Sequence, residues 1–150
     1  MTRIDFHFHV PDKLPYVCRL IRKAVSKSPS LVVTGPQEQL ARLDELLWQL
    51  GSTDFVGHAW YAPDADGSSV GHEQACARVW LTLSPDHSPR HDLLLNLSDA
   101  VATGFEQYER LIEVVSMDEQ DRQHARQRWR HYSARGYAIV QHAIGGGASQ

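Results

Sequence analysis

The sequence predicts a single α/β domain whose sheet is at least partly parallel. Apolar residues alternate along residues 4–10, the period of a strand, and then recur every three or four positions along residues 14–25, the period of a helix. A second strand and helix follow from residue 31. Two successive strand–helix units indicate right-handed crossovers between parallel strands, and 150 residues suffice for one compact core.

Local signals place the elements of the first half of the chain. Asp12 is a suitable cap for the first helix, whose apolar period ends before Ser28. The β-branched run at residues 31–34 predicts the second strand. Gly35 and Pro36 then open a helix, because proline is tolerated in a first turn, and the leucine face of that helix ends at Gly51.

The second half begins with a polar loop at residues 61–73 and continues with strands at residues 79–83 and 93–97. Residues 112–115 are a fifth strand candidate, although residues 105–111 could be helical and run into it. A polar helix is expected over residues 118–135, with acids in its first turn and Gly136 just past its end. Residues 138–144 form a short strand or turn. The single domain therefore covers residues 1–144, and residues 145–150 are a disordered tail.

Composition excludes several classes of protein. The 15 basic and 18 acidic residues give a net charge of -3, so the whole chain has no electrostatic drive toward nucleic acid or an anionic membrane. Two cysteines cannot build a disulfide framework or a four-thiolate zinc site. We find no signal-peptide pattern and no apolar stretch of the roughly 20 residues that a membrane span requires. A cytoplasmic protein without membrane contact is expected.

Motifs for nucleotide binding and nucleophilic catalysis are absent from the sequence. Neither GxxxxGK[ST] nor GxGxxG occurs, and Gly35 has the right place for a phosphate loop but no lysine follows it. There is no GxSxG, and neither Cys18 nor Cys76 has an activating partner nearby in the sequence. The sequence therefore predicts no catalytic residue and no cofactor.

One pattern favours a metal-dependent enzyme instead. On an alternating first strand, Asp5, His7 and His9 share a face, and two imidazoles on one strand can bind a metal ion. A small metal-dependent hydrolase using His7 and His9 is therefore the alternative hypothesis. The barrel that normally completes such a site is too large for this chain, and the remaining histidines lack ligand spacing.

The polar C-terminal helix concentrates positive charge, with five arginines against three acids over residues 118–135. At about 100° per residue, one arc of that helix combines three guanidiniums with an indole. This arc contains Arg122, Arg126, Trp129 and Arg130. Arg128 and Arg135 lie on the opposite side. The helix is either a solvated face with Trp129 in the core or an anion site with an apolar pocket, suited to a peptide that ends in a hydrophobic residue with a free carboxylate.

A second candidate surface contains two large aromatic residues outside the predicted apolar stripes. Trp48 points away from the leucine face of its helix, and Phe55 follows in a loop. Exposed aromatics are frequent anchors of protein interfaces. The alternative is that both residues simply cover the edge of the sheet.

Segments 42–48, 55–58 and 125–132, with Gly136 and Tyr137, resemble the chi subunit of bacterial DNA polymerase III holoenzyme in order and spacing, and the resemblance covers nearly the whole chain. It implies a three-layer α/β/α fold with a mainly parallel sheet, Rossmann-like but without a phosphate-binding loop, and an accessory protein without activity of its own. It also implies two partners: the psi subunit, which connects chi to the clamp loader, and the acidic C-terminal tail of single-stranded DNA-binding protein. Single-stranded DNA would be contacted only indirectly, by a monomer or heterodimer.

The resemblance also assigns residues to each of these two surfaces. The positions that match the tail-binding site are Arg122, Arg126, Trp129, Arg130 and Val115. The positions that match the psi interface are Trp48, Phe55 and Val56. Several of the basic positions are often lysine in the family and the aromatic is often tyrosine. Arginine and tryptophan preserve the charge and the character of the pocket.

Overall fold

The computed structural model describes residues 2–25, 31–48, 58–60, 79–83 and 92–144. The strands are β1 (Arg3–Val10), β2 (Leu31–Thr34), β3 (His58–Trp60), β4 (Val79–Thr82), β5 (Leu93–Asn96), β6 (Arg110–Ser116) and β7 (Ile139–Ala143). Within these ranges the helices are α1 (Lys13–Val25), α2 (Gln37–Trp48) and α3 (Glu119–Ala134), and Phe105–Gln107 forms a 3-10 turn. Over these ranges, no helix has the length and apolar character needed to cross a membrane.

The seven strands form one sheet in the order β3-β4-β2-β5-β6-β1-β7. Every neighbouring pair is parallel. This confirms the predicted α/β class and its parallel sheet. The first strand of the chain lies between the last two, so β1 pairs with both β6 and β7.

Helices cover both faces of the sheet. The α1 face is covered by α1 and α2, whose residues Val17 and Leu40 join the strand residues Leu31 and Leu95 in one buried cluster. The α3 face is covered by α3 and the 3-10 turn, which form a second cluster around the buried Tyr132. Placing α1 and α2 on one face and α3 on the other is the arrangement expected when every crossover is right-handed.

Two elements differ from the sequence-based prediction in extent. The fifth strand candidate is β6, which extends beyond residues 112–115 at both ends. The helix considered for residues 105–111 is limited to the 3-10 turn. Residues 139–143 form a strand rather than a turn. The short strand β3 was not predicted. The expected helix end at Gly51, the loop at residues 61–73 and the tail at residues 145–150 lie outside the described residues.

Gly35 has a packing role between β2 and α2. A Cβ atom at this position would lie 2.8 Å from the Cβ atom of Leu97, which is closer than real Cβ atoms approach their neighbours. The same approach allows the Leu97 amide to donate to the Thr34 carbonyl at 2.8 Å. Glycine is therefore required here by close packing of the backbone, in accord with the missing phosphate-loop lysine.

A β-bulge interrupts the alternation of β1. His7 is paired with Val114 and Val10 with Ser116, so three steps along β1 match two along β6. His9 lies in this bulge, and its backbone adopts a φ of 60°, in the left-handed region. Beyond His7 the predicted alternation is wrong, because Val10 turns into the core on the α1 face while Phe8 packs on the α3 face.

Candidate functional site: a cleft with two arginines on the α3 face

A buried ionic network holds α3 against the sheet. Glu113, in the middle of β6, is completely buried, and Arg128 of α3 is 2% exposed. The Arg128 Nε donates to Glu113 Oε1 at 3.0 Å. Asn96 donates to Glu113 Oε2 at 3.1 Å, and the Tyr132 hydroxyl donates to the same oxygen. This network fixes which side of α3 faces the sheet.

The position of Arg128 differs from what the helical period alone suggested. It lies on the opposite side of α3 from Arg126, as predicted, but that side packs on the sheet rather than facing solvent. Burial raises the pKa of Glu113, and the Arg128 guanidinium opposes this effect most strongly. Arg128 is therefore a structural residue and cannot serve as a neutral control for binding.

The orientation of α3 opens a cleft of about 310 Å³ between that helix and the β6, β1 and β7 strands. Four of the five predicted tail-binding residues line it, namely Val115, Arg122, Arg126 and Trp129. The fifth, Arg130, is exposed on α3 but is not part of the lining. The structure thus brings most of the predicted site together in one concave surface.

The floor of this cleft is apolar. The Trp129 ring packs on Phe6 with the ring centroids 5.1 Å apart and the planes tilted by 55°. Val115 is buried beneath them, and Phe8 continues the floor along β1. Trp129 is only half-buried, so it belongs both to the core cluster and to the wall of the cleft. The packing of Trp129 against the core is confirmed, and its part in an anion site stays a prediction.

The rim of the cleft is positively charged. The side chains of Arg122 and Arg126 are 41% and 56% exposed. Both contact the single carboxylate of Glu119, at 3.6 and 3.8 Å respectively. Exposed ion pairs of this kind contribute little free energy. An incoming carboxylate can therefore replace Glu119 as the partner of either arginine.

Sequence reasoning missed two polar residues that line this cleft, His9 and Gln141. The bulge turns His9 to the same side as Phe8, and nothing in the sequence marks the bulge. Gln141 reaches the cleft because β7 pairs in parallel with β1, which places Gln141 beside Phe6. That pairing joins distant parts of the chain and has no local signal.

The hypothesis of a metal site on His7 and His9 depends on a shared strand face, and this premise is wrong. His9 lines the cleft on the α3 face, whereas His7 faces α1, with its Nδ1 2.5 Å from the Tyr16 hydroxyl. Among the described residues, no group of three histidine, cysteine, aspartate or glutamate side chains could hold a metal ion.

The predicted psi interface falls largely outside the described residues. Trp48 is the last residue of α2. Its side chain and the residues Phe55 and Val56 lie outside the described part of the chain, so their predicted role stays a prediction.

The start of α3 carries an acid with a shifted pKa. Asp121 accepts a hydrogen bond from the Ser116 amide at 2.8 Å and one from Lys13 Nζ at 3.3 Å. Partial burial alone would raise the pKa of Asp121, but the Ser116 hydrogen bond and the Lys13 charge outweigh it and lower that pKa. Ionised Asp121 therefore ties α3 to β6 and α1.

Asp121→Asn is expected to lower the free energy of unfolding by about 1.5 kcal/mol at neutral pH, because bonds to a charged group are lost. Since the folded pKa is lowered, the stabilisation is present above the unfolded value of about 3.9 and is lost as the pH falls through the folded pKa. Urea unfolding from pH 2 to pH 7 should show a smaller acid loss in the variant. Equal slopes in wild type and Asp121→Asn would contradict this role.

Two comparisons with known proteins show which family this chain resembles. The family model described as "DNA polymerase III chi subunit, HolC" matches residues 1–140. The DNA polymerase III subunit chi of Pseudomonas aeruginosa is 31% identical over 151 residues, an alignment that covers 96% of this chain and 98% of that protein. The match extends over β1, α3 and the cleft between them. The chain belongs to the family of DNA polymerase III chi subunits, components of the replicative polymerase complex.

Proposed function

We propose that this protein is a non-catalytic accessory subunit of the bacterial DNA polymerase III holoenzyme, acting in the cytoplasm. It links the clamp loader, through the psi subunit, to the acidic C-terminal tail of single-stranded DNA-binding protein. The observation that carries the proposal is the cleft on the α3 face, where an apolar floor meets two exposed arginines. Membership of the chi family supports the same role.

The cleft offers separate places for the two chemical features of such a tail. A terminal aromatic side chain fits the recess formed by Phe6, Val115 and Trp129. The terminal carboxylate and the preceding aspartates lie within reach of Arg122 and Arg126, which bind carboxylates in a bidentate manner. Recognition of a C-terminal carboxylate together with its apolar side chain is a recurrent mode of peptide binding.

A peptide with several aspartates and a C-terminal phenylalanine is expected to bind this cleft, and amidating its C-terminus should weaken binding about tenfold. The amide removes the charge that pairs with an arginine, a contact of about 1.4 kcal/mol or more. Calorimetric titration of both peptides measures the difference. Affinity should fall between low and physiological salt without vanishing, because screening weakens peripheral charges more than a close pair. Equal affinity of the two peptides would place the terminal carboxylate elsewhere.

The psi half of the proposal is supported by the resemblance at Trp48, Phe55 and Val56. Trp48→Ala is expected to weaken the complex with a co-expressed psi subunit by about 2 kcal/mol, the loss typical of an aromatic anchor. Size-exclusion chromatography with titration of the isolated subunits measures it. Trp129→Ala, on the other candidate surface, serves as the matched control and should leave psi binding unchanged. A Trp48→Ala protein that unfolds, while its folded fraction still binds psi normally, would assign Trp48 to the core.

A further inference from the structure

A second cleft, of about 420 Å³, lies on the opposite side of the sheet. It forms because α1 packs on β6 and β2 and leaves the α1 face of the last two strands in the sheet order, β1 and β7, partly open. Its floor carries the imidazoles of His7 and His142, which are neighbours in the β1–β7 register. The cleft for the acidic tail is on the α3 face, so the two sites are independent.

The walls of this second cleft are basic. Arg19 and Lys23 face it from α1, and Arg110 faces it from β6. One buried acid, Asp5, lies beneath, with its carboxylate 2.5 Å from Arg110 Nε and 3.6 Å from Arg3 Nε. The acid is therefore already neutralised. A chain with a net charge of -3 thus concentrates positive charge here, which disfavours a metal cation and favours an anion.

His7 supplies a polar atom that lacks a partner. The residue is 9% exposed, and its Nδ1 is bonded to the Tyr16 hydroxyl at 2.5 Å. Its Nε2 is buried and has no hydrogen-bond partner among the described residues. Burial raises the pKa of Tyr16, so the phenol keeps its hydrogen. When the phenol donates to Nδ1, the imidazole hydrogen sits on Nε2 and requires an acceptor.

The surroundings of His7 keep its imidazole neutral at neutral pH. The pKa of His7 is lowered to about 4, chiefly by burial. The charges of His142, Arg110 and Lys23 act in the same direction, whereas the charge of Asp5 opposes them. An anion placed among these groups would offset the positive charges and raise that pKa. Such a coupling between ligand and imidazole can be measured directly.

We propose that this cleft binds a small phosphate monoester whose organic group is flat or apolar. Arg19 and Lys23 of α1, together with the imidazole donor of His7, match a tetrahedral dianion, while Arg110 of β6 stays paired with Asp5 at the edge of the cleft. The apolar wall formed by Leu20, Leu93 and Ile112 matches the ester group. The volume lies within the roughly 300–1,000 Å³ typical of small-molecule sites.

Phenyl phosphate is the probe, with inorganic phosphate and phenol as its two halves. Titration followed by calorimetry and by the histidine ring resonances should show saturable binding of phenyl phosphate that is at least about tenfold tighter than that of either half. The His7 and His142 resonances should shift, and the pKa of His7 should rise on binding. The acidic tail peptide should leave both resonances unmoved.

Arg19→Ala is expected to weaken phenyl phosphate about tenfold, because it removes one exposed cation without disturbing Asp5. Arg42→Ala, on α2 and away from the cleft, makes the same charge change and should alter the affinity less than twofold. Arg110 is unsuitable as a test, since its loss would leave the buried Asp5 carboxylate without its closest cation. Absence of saturable binding at millimolar phenyl phosphate, unmoved His7 and His142 resonances, or equal affinities of the two arginine variants would overturn the proposal.

Discussion

Arg128→Ala is expected to reduce the free energy of unfolding by about 3–5 kcal/mol, the loss typical when one partner of a buried ion pair is removed. The variant leaves the Glu113 carboxylate buried without its guanidinium. Tyr132 and Asn96 still donate to that carboxylate, but neither carries a charge. Chemical denaturation at neutral pH, followed by far-ultraviolet circular dichroism, measures the change.

The pH dependence of this variant separates an unpaired charge from simple loss of packing. Without Arg128, the folded-state pKa of Glu113 rises further above its unfolded value. A carboxyl group with a raised folded pKa stabilises the fold below the unfolded value of about 4.3, and this stability is lost as the pH rises through the folded pKa. Arg128→Ala should therefore be less destabilised at pH 5 than at pH 8.

Two further variants complete the test of the network. Arg135→Ala removes an exposed guanidinium at the end of α3 and should change stability by less than about 0.5 kcal/mol. Glu113→Gln combined with Arg128→Met removes both charges but keeps an acceptor for Tyr132, so it should recover part of the loss. If Arg128→Ala costs no more than Arg135→Ala, the network does not hold α3 on the sheet.

Arg126→Ala is expected to weaken binding of the acidic tail peptide by about 2–3 kcal/mol, as when one member of a charge-assisted pair is lost. Arg126 is the more exposed of the two arginines at the rim and shares Glu119 with Arg122. Calorimetric titration at physiological salt measures the change. Because Arg126 is exposed, the free energy of unfolding of this variant should remain within about 0.5 kcal/mol of wild type.

The matched control for peptide binding is Arg135→Ala, which makes the same change of charge on the same helix away from the cleft. Its effect on the peptide should be below about 0.5 kcal/mol. Arg128→Ala, the choice that the helical period alone would suggest, fails as a control because it disturbs the core. Equal affinities of Arg126→Ala and Arg135→Ala for the peptide would mean that Arg126 contributes only general positive charge. That result would contradict a specific peptide site in the cleft.

The sequence predicted those elements whose signal is local. The alternation of β1 up to His7 and the helical period of α1 are properties of short segments, and both were predicted. β6 is harder to predict because this inner strand is buried on both faces, and Glu113 interrupts its apolar run. The partners that make this buried acid acceptable, Arg128 and Asn96, come from other segments.

The candidate site divides in the same way. The arc that joins Arg122, Arg126 and Trp129 follows from the helical period alone, and the structure places all three on one cleft. The period does not tell which side of the helix meets the sheet, so the burial of Arg128 was not foreseen. The side chain of His9 faces the cleft because β1 has one extra residue relative to β6, which forms a bulge. No residue type in β1 indicates this bulge.

The place of β1 between β6 and β7 has a consequence for how the protein is made. β1 is synthesised before every other described element, yet the strands that flank it begin only at Arg110 and Ile139. Its backbone donors and acceptors therefore meet neither flanking strand until β6 has been synthesised. Non-local parallel pairings of this kind form slowly. The alternation of Asp5 and His7 with Ile4 and Phe6 lowers the tendency of β1 to associate with other chains during that interval.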